Sequence, residues 1–439
     1  MKDMTRDNPA KVIMLFALPL MCGSVFQQFY NMADSKIVST YVGTTAFAAV
    51  GATSVVTNML VGFINGLTQG FAIMVANSFG AKKEKQMRRY VAGSILLTLA
   101  VTVVLLIGSQ IVIVPLMEGL RTPKDIMPFA ISYVRIILAG ILFTSLYNLC
   151  ANILRAVGDS KTPLCCLVIS VVSNIVLDLL FVKGFAWGIQ GAAAATVLSQ
   201  GLAAFLCLGY ILWKFVNLIP KRDEWKLESG QYGFLITNGL SMGLMSCIVN
   251  IGTIVLQSAI NGLGTAIVAA HTAARRVFDI LSVALYNVGV AITTYVSQNM
   301  GAGEKERIRQ GVRQSILMVT AISTGLIVIC FAFGRPVLVW LTSSTDPEII
   351  NAAVMYSRIS ICFFYFLGPL FILRCALQGM GRRIVPISTS ILEMFLKIFS
   401  ATILVPQFAY VGVAFTEPVS WTCMSTVLAI AYIRAKKEL

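Results

Sequence analysis

Uninterrupted apolar runs of about 20 residues or more recur from one end of this chain to the other. No other feature limits the fold as severely. A run of that length matches the hydrocarbon core of a bilayer, where every backbone N–H and C=O needs a partner within the protein. Helices and closed barrels meet that demand, and the period-two alternation of barrel strands is absent. The predicted fold is an all-α membrane protein of twelve transmembrane helices. The runs lie near 11–35, 46–79, 90–115, 128–154, 163–183, 188–214, 233–260, 266–299, 312–335, 351–378, 384–406 and 410–434. The second and eighth exceed what a bilayer needs, so they tilt or continue into the cytosol as amphipathic ends. The first is too long for the core of a signal peptide, about 7–15 residues, and no small-x-small cleavage site follows it. It is expected to remain as a helix.

Only 12% of the residues are charged and 57% are hydrophobic, where a soluble domain has about 25% charged. The net charge of +15 would suit nucleic acid, but the basic residues fall in short loops between spans. With the N-terminus inside, 23 basic residues fall in cytoplasmic segments, from Lys2, Arg6 and Lys11 to Arg434, Lys436 and Lys437. Only four face outside, namely Arg121, Lys124, Lys183 and Arg335. That asymmetry places both termini in the cytoplasm and requires an even number of spans. A bacterial cytoplasmic membrane is the expected location. Ten cysteines are scattered without zinc-site spacing, so no structural disulfide is expected, and a single histidine excludes a His-rich metal site.

The two halves repeat. SFGAKKEKQMRRYV (78–91) matches NMGAGEKERIRQGV (299–312) at an offset of 221 residues. The stretch carrying Tyr133, Arg135, Gly158 and Pro163 matches the one carrying Tyr356, Arg358, Gly381 and Pro386 at 223. GIQGAAAATVLS (188–199) aligns with AYVGVAFTEPVS (409–420), again at 221. Two pseudo-symmetric six-helix bundles are therefore expected, an N-terminal lobe (1–214) and a C-terminal lobe (233–439) joined by a basic linker (215–232). Each lobe has six spans, so both cross in the same sense. Their axis runs along the membrane normal, with a central cleft between lobes and alternating access by rocking.

Within SNIVLDLLFV (173–182), Asn174 and Asp178 interrupt an apolar span. A carboxylate near the bilayer centre costs about 2.5–3.5 kcal/mol on insertion scales and marks a functional site by default. Asp178 lies roughly 24 Å along the fifth span, with Asn174 one turn below on the same face. Thr196 lies about 12 Å below the outer end of the sixth span, and Asp34 about 34 Å along the first, before the bend expected at Pro19. All four fall in the outer third of the N-terminal lobe. Their oxygens suit a small hard cation, Na⁺, or a shared proton, since two carboxylates held close repel unless something positive sits between them. The repeat maps Asp34 to Val255, Asn174 to Lys397, Asp178 to Ala401 and Thr196 to Glu417. One coupling site is therefore expected, in the N-terminal lobe only.

Glu393 and Lys397, four apart on the eleventh span, are expected to pair, with Glu417 a second partner for Lys397. The pair reads as a structural salt bridge ahead of a proton-sensitive element. Arg275 and Asp279 have the same spacing. His271 is a candidate proton switch, weighed against a packing hydrogen bond. Phe26, Phe29, Tyr30, Met32 and Met59 are candidates for an adaptable apolar wall of a substrate cleft.

Four stretches together resemble the multidrug and toxic compound extrusion (MATE) family. They are ALPLMCGSVFQQFYNMADSKIVSTYVG, GFAIMVANSFGAKK, ILRAVGDSKTP and GIQGAAAAT. The resemblance covers the whole chain. The spacing from Pro19 to Asp34, and Asn174 and Asp178 followed by Thr196, is similar to the DinF-like branch. There the matching residues form the N-lobe cation site, and Pro19 matches a bending proline. The resemblance implies a secondary antiporter, without cofactor or catalysis, exporting organic and often cationic compounds in exchange for Na⁺ or H⁺. The protein is expected to be a monomer. The branch with a seventh-helix glutamate has no counterpart here, because ITNGLSMGLM (236–245) contains no acid. The alternative is a flippase for lipid-linked precursors or other amphiphiles, against which twelve spans and N-lobe acids speak. A membrane-embedded transferase or protease needs a metal cluster or a nucleophile–base set, and the sequence has neither. A channel needs a conducting ring, which a carboxylate set confined to one half does not make.

Overall fold

Proline, glycine and short polar residues punctuate the apolar runs, and several helices begin or end on them. Asp346 caps one helix by accepting the Glu348 backbone N–H at 2.9 Å, with Pro347 in the first turn. The computed structural model describes residues 3–119, 122–342 and 346–438. Lys2 and Arg121, counted above among the loop charges, lie outside the described residues.

The first half comprises α1 (Pro9–Tyr41), α2 (Thr44–Gly80), α3 (Glu84–Gly119), α4 (Met127–Ala139), α5 (Ile141–Ala156), α6 (Lys161–Asp178) and α7 (Gly188–Lys214). The second comprises α8 (Ser229–Asn261), α9 (Thr265–Ala302), α10 (Lys305–Thr342), α11 (Pro347–Cys362), α12 (Phe364–Gly379), α13 (Ile384–Phe399) and α14 (Val405–Glu438). Among the described residues, nine stretches are each long and apolar enough to span, and 11 if α4 with α5, and α11 with α12, count as bent single spans. The last of the nine, Ile384–Glu438, has 55 residues. A straight helix of that length would measure about 80 Å, far more than a bilayer. Ala409, at φ 49° and ψ −130°, breaks it into two, which brings the count to twelve. The second and eighth expected spans are α2 and α9, of 37 and 38 residues. These helices outrun the hydrocarbon core, and their ends are more polar than apolar-run length alone can trace.

The backbone repeats along with the sequence. The 45° bend between α4 and α5 falls at Gly140, and the 51° bend between α11 and α12 falls at Phe363, the same position in the repeat. Each half carries a π-helical turn after its fifth span, Leu179–Gly184 and Ser400–Leu404. Each then has an alanine at positive φ, Ala186 at 54° and Ala409 at 49°. Non-glycine residues rarely hold that conformation, so its recurrence shows that packing imposes it in both halves. Gly158 and Gly381 turn the chain at φ 84° and 76°, where a side chain would add strain.

By contacts the chain divides into two compact units: Met1–Asp3 with Cys22–Gly243, and Met4–Met21 with Leu244–Leu439. The N-terminal unit has two buried apolar clusters. One gathers Val75, Tyr90, Leu154 and Cys207, and the other Val38, Ile113, Tyr133 and Ala192. The C-terminal unit likewise has two, one around Phe16, Tyr295 and Phe364 and one around Ala274, Tyr356 and Val413. Lipid is as apolar as these cores, so close packing and interhelical hydrogen bonds hold the helices together.

Candidate cation site in the N-terminal unit

The residues that interrupt the apolar spans of the first half converge. Asp178 closes α6 immediately before the π-helical turn and is fully buried. Asn174, one turn earlier, is also buried. With its amide oriented to satisfy both ends, Asn174 Nδ2 donates to Asp178 Oδ2 at 2.9 Å and Oδ1 accepts from the Thr196 backbone N–H at 3.2 Å. α1 contributes Asp34, which is buried with its carboxyl within hydrogen-bond reach of Asp178. Asp34, Asn174, Asp178 and Thr196 thus meet in one pocket of the N-terminal unit.

Two tyrosines complete it. Tyr30 lies one turn before Asp34 on the same face of α1, and its hydroxyl is 3.3 Å from Thr196 Oγ1. The sequence grouped Tyr30 with an apolar wall, but its hydroxyl turns to the polar cluster. Tyr133 on α4 is buried within electrostatic reach of Asp34, Tyr30 and Asp178. Sequence reasoning used Tyr133 only as a repeat marker; its match to Tyr356 was the available signal. Beneath the pocket, Ser170 Oγ on α6 donates to the Ser199 carbonyl on α7 at 2.7 Å, and Ser199 Oγ to the Thr196 carbonyl at 2.9 Å. These bonds fix α6 and α7 at the height of the site. Gly140 admits Val197, Thr196's neighbour: a Cβ there would lie 2.4 Å from a Val197 methyl.

The charge of the pocket is unbalanced. Among the described residues, no basic side chain acts on either carboxyl. Oδ1 of Asp34 and Oδ1 of Asp178 are both buried without a hydrogen-bond partner. Unsatisfied buried carboxylate oxygens are costly, so the pocket suits a proton or a small cation.

The C-terminal unit is built differently. Lys397 Nζ lies 3.0 Å from Glu393 Oε1 and 3.4 Å from Glu417 Oε1. Arg275 lies 3.1 Å from Asp279 and 3.2 Å from Glu417. Arg374 lies 3.7 Å from Glu393. His271 is buried, with Nδ1 3.4 Å from the Tyr410 hydroxyl and its ring edge-on to Tyr356 at 4.8 Å. Of the apolar-wall candidates, Phe26, Phe29 and Met32 are exposed and Met59 is half-buried. Pro19 lies inside α1, just before the helix passes from one unit to the other at Met21–Cys22.

The family model MatE matches residues 19–180 and 242–403, once in each half. The chain belongs to the MatE, or MATE, family. It is 28% identical over 381 residues to the probable multidrug resistance protein YpnP of Bacillus subtilis, covering 86% of this chain and 84% of YpnP. It is 26% identical to the probable multidrug resistance protein NorM of Thermotoga maritima, covering 88% and 83%. The solved outward-facing structure of a multidrug resistance MATE family transporter of the MOP superfamily has the same fold. It superposes with a TM-score of 0.92 at 22% identity over 99% of this chain and 98% of that one. The molecule is a multi-pass membrane protein of a family whose named relatives are transporters.

Proposed function

We propose that this MATE protein exports organic compounds, including cationic drugs, across a bacterial cytoplasmic membrane in exchange for Na⁺ or H⁺. Asp34, Asn174, Asp178 and Thr196 carry the coupling, with Tyr30 and Tyr133 alongside. The supporting observation is the contact of two buried carboxyls that have no basic partner among the described residues. Two charges in contact at low dielectric repel strongly, so the pocket is stable only with a positive guest. A guest that enters from outside, draws α1 toward α6 and leaves inside links ion flow to helix packing. Pro19 supplies the bend in α1. The small-molecule substrate binds elsewhere, in a cleft with an apolar wall that includes Phe26, Phe29 and Met32. The protein works as a monomer with both termini in the cytoplasm.

The test is transport of a fluorescent organic cation in proteoliposomes, driven first by a Na⁺ gradient and then by a pH gradient. Asp178→Asn and Asp34→Asn should each abolish driven transport while the protein still purifies as a folded monomer. Full transport by either variant overturns the assignment, and the gradient that drives the parent identifies the ion.

A further inference from the structure

Lys397 occupies the place in the second repeat that Asn174 holds in the first, and Glu417 the place of Thr196. Tyr356 keeps the tyrosine of Tyr133, so the two pockets share a plan. They differ in charge. Around Lys397 stand three basic side chains (Arg275, Arg374, Lys397) and three acids (Asp279, Glu393, Glu417), all joined by ion pairs. The ammonium is the hub. Glu393 Oε1 and Glu417 Oε1 both face Nζ, and Thr253 Oγ1 accepts from it at 3.1 Å. Lys397 is 2% exposed and Glu417 6%. Three oxygens converging on one buried positive centre are donors of the kind that hard cations prefer.

We propose that the Lys397 ammonium is a tethered counter-cation. It does permanently in the C-terminal unit what a travelling ion does transiently in the N-terminal unit, and its removal uncovers a latent cation site made by Glu393, Glu417 and Thr253. The inference rests on reading the N-terminal pocket as a cation site. It explains why one fold duplicated in one chain needs only one mobile ion. Replacing Lys397 by a neutral side chain leaves two basic groups against three acids, a deficit of one positive charge that one Na⁺ or one proton makes good. The other groups facing the site cannot. Arg275 and Arg374 are already engaged, Thr253 and Tyr356 are neutral, and Tyr410 packs against Tyr356. His271 is turned to Tyr410 and Tyr356.

The experiment is thermal unfolding of the full chain in detergent at constant ionic strength, with Na⁺ exchanged for choline, at mildly alkaline and mildly acidic pH. The background is Asp34→Asn with Asp178→Asn, which silences the first pocket. On that background Lys397→Gln should gain a midpoint rise of roughly 2 °C or more from Na⁺ or from acidification, relative to the background alone. A Lys397→Gln response to Na⁺ and to pH no larger than that of the background overturns the proposal. Should Lys397→Gln fail to fold, Lys397→Gln with Glu417→Gln restores the charge balance. Recovery of a folded, Na⁺-insensitive protein supports the proposal; continued failure means that Lys397 acts through packing, and overturns it. The Na⁺ and pH response of the unmodified chain reports the first pocket separately, so the two readings fail independently.

Discussion

Arg88 grips both oxygens of Glu224. Its Nε donates to Oε2 at 2.8 Å and Oε1 at 3.0 Å, and a terminal nitrogen donates to Oε1 at 2.9 Å. Glu224 lies on a 3₁₀ turn, Arg222–Trp225, in the linker after α7, and its Oε2 also accepts the Lys221 backbone N–H at 2.8 Å. Arg89 with Glu228 at 3.2 Å and Lys85 with Asp223 at 3.7 Å continue the contact along α3. The linker is thereby strapped to the first turns of α3.

Loss of the Arg88 pair should free that strap without unfolding the spans. The hydrogen bonds from Arg88 hold the Glu224 carboxyl below the usual carboxylate range. A lowered folded value means the pair contributes fully above the unfolded value of about 4.3 and is lost as pH falls through the folded one. Hydrogen exchange across 219–228 should stay slow at neutral pH and quicken, corrected for intrinsic rate, below about pH 4.3. Glu224→Gln should show the quickened exchange at neutral pH, at a cost of about 1–2 kcal/mol. Unchanged exchange in that variant would mean the exposed outer pairs hold the linker instead.

Asn174 should matter more to ion affinity than Tyr30. The Asn174 amide donates to Asp178 itself, whereas Tyr30 reaches Thr196 at the longer distance of 3.3 Å. Removing a donor from a buried charged group costs about 1–3 kcal/mol, roughly five- to 150-fold in an equilibrium constant. The Na⁺ or proton concentration for half-maximal transport should therefore shift at least fivefold in Asn174→Ala, falling for a proton because the lost donor favoured the ionised carboxylate, and about twofold in Tyr30→Phe. The reverse order would show that Thr196, positioned by Tyr30, is the principal ligand.

The order of spans was legible because apolar length, loop charge and internal repetition are additive signals spread over hundreds of residues. The acids of the first pocket were legible singly, because each violates the composition of its span. Ser170, Ser199 and Tyr133 were not: serine and tyrosine are ordinary in membrane helices, and nothing local tells a helix-bridging hydroxyl from one that bonds its own preceding turn. The partners of Arg374 and the second contact of Arg275 were hidden for another reason. Each joins residues on different helices, and only packing decides which faces meet. The π-helical turns and the positive φ of Ala186 and Ala409 left no mark, since alanine and leucine suit a regular helix.

Pro19 has no N–H to give the Leu15 carbonyl, and its ring crowds that turn. Pro19→Ala should restore the missing bond, and interior proline costs about 3 kcal/mol in a helix, so thermal stability should rise or hold. Transport should fall several-fold if the bend in α1 is part of the cycle. The measurement pairs an unfolding curve with ion-driven flux on one preparation. Full flux with raised stability would make Pro19 a tolerated defect and remove it from the mechanism.

Gly66 and Gly70 on α2 face Gly239 and Gly243 on the first part of α8, a four-residue spacing on both helices. A Cβ at Gly66 would lie 2.5 Å from the Met242 carbonyl oxygen, and one at Gly70 2.5 Å from that of Asn238. Phe71 and Phe63 fill the space over Gly239 and Gly243. Small residues at this spacing let helix backbones approach closely in lipid. The obstructing atoms are helical carbonyls, which cannot rotate away, so a methyl group must push the helices apart. Gly70→Ala should lower stability by about 1–3 kcal/mol, the usual cost of overpacking, and raise hydrogen exchange in 229–243. Gly108→Ala on α3 is the control, since nothing lies within 4 Å of its Cβ; there alanine should be neutral or gain up to about 1 kcal/mol from helix propensity. Equal unfolding midpoints for the two variants would show that α2 and α8 do not rely on this approach.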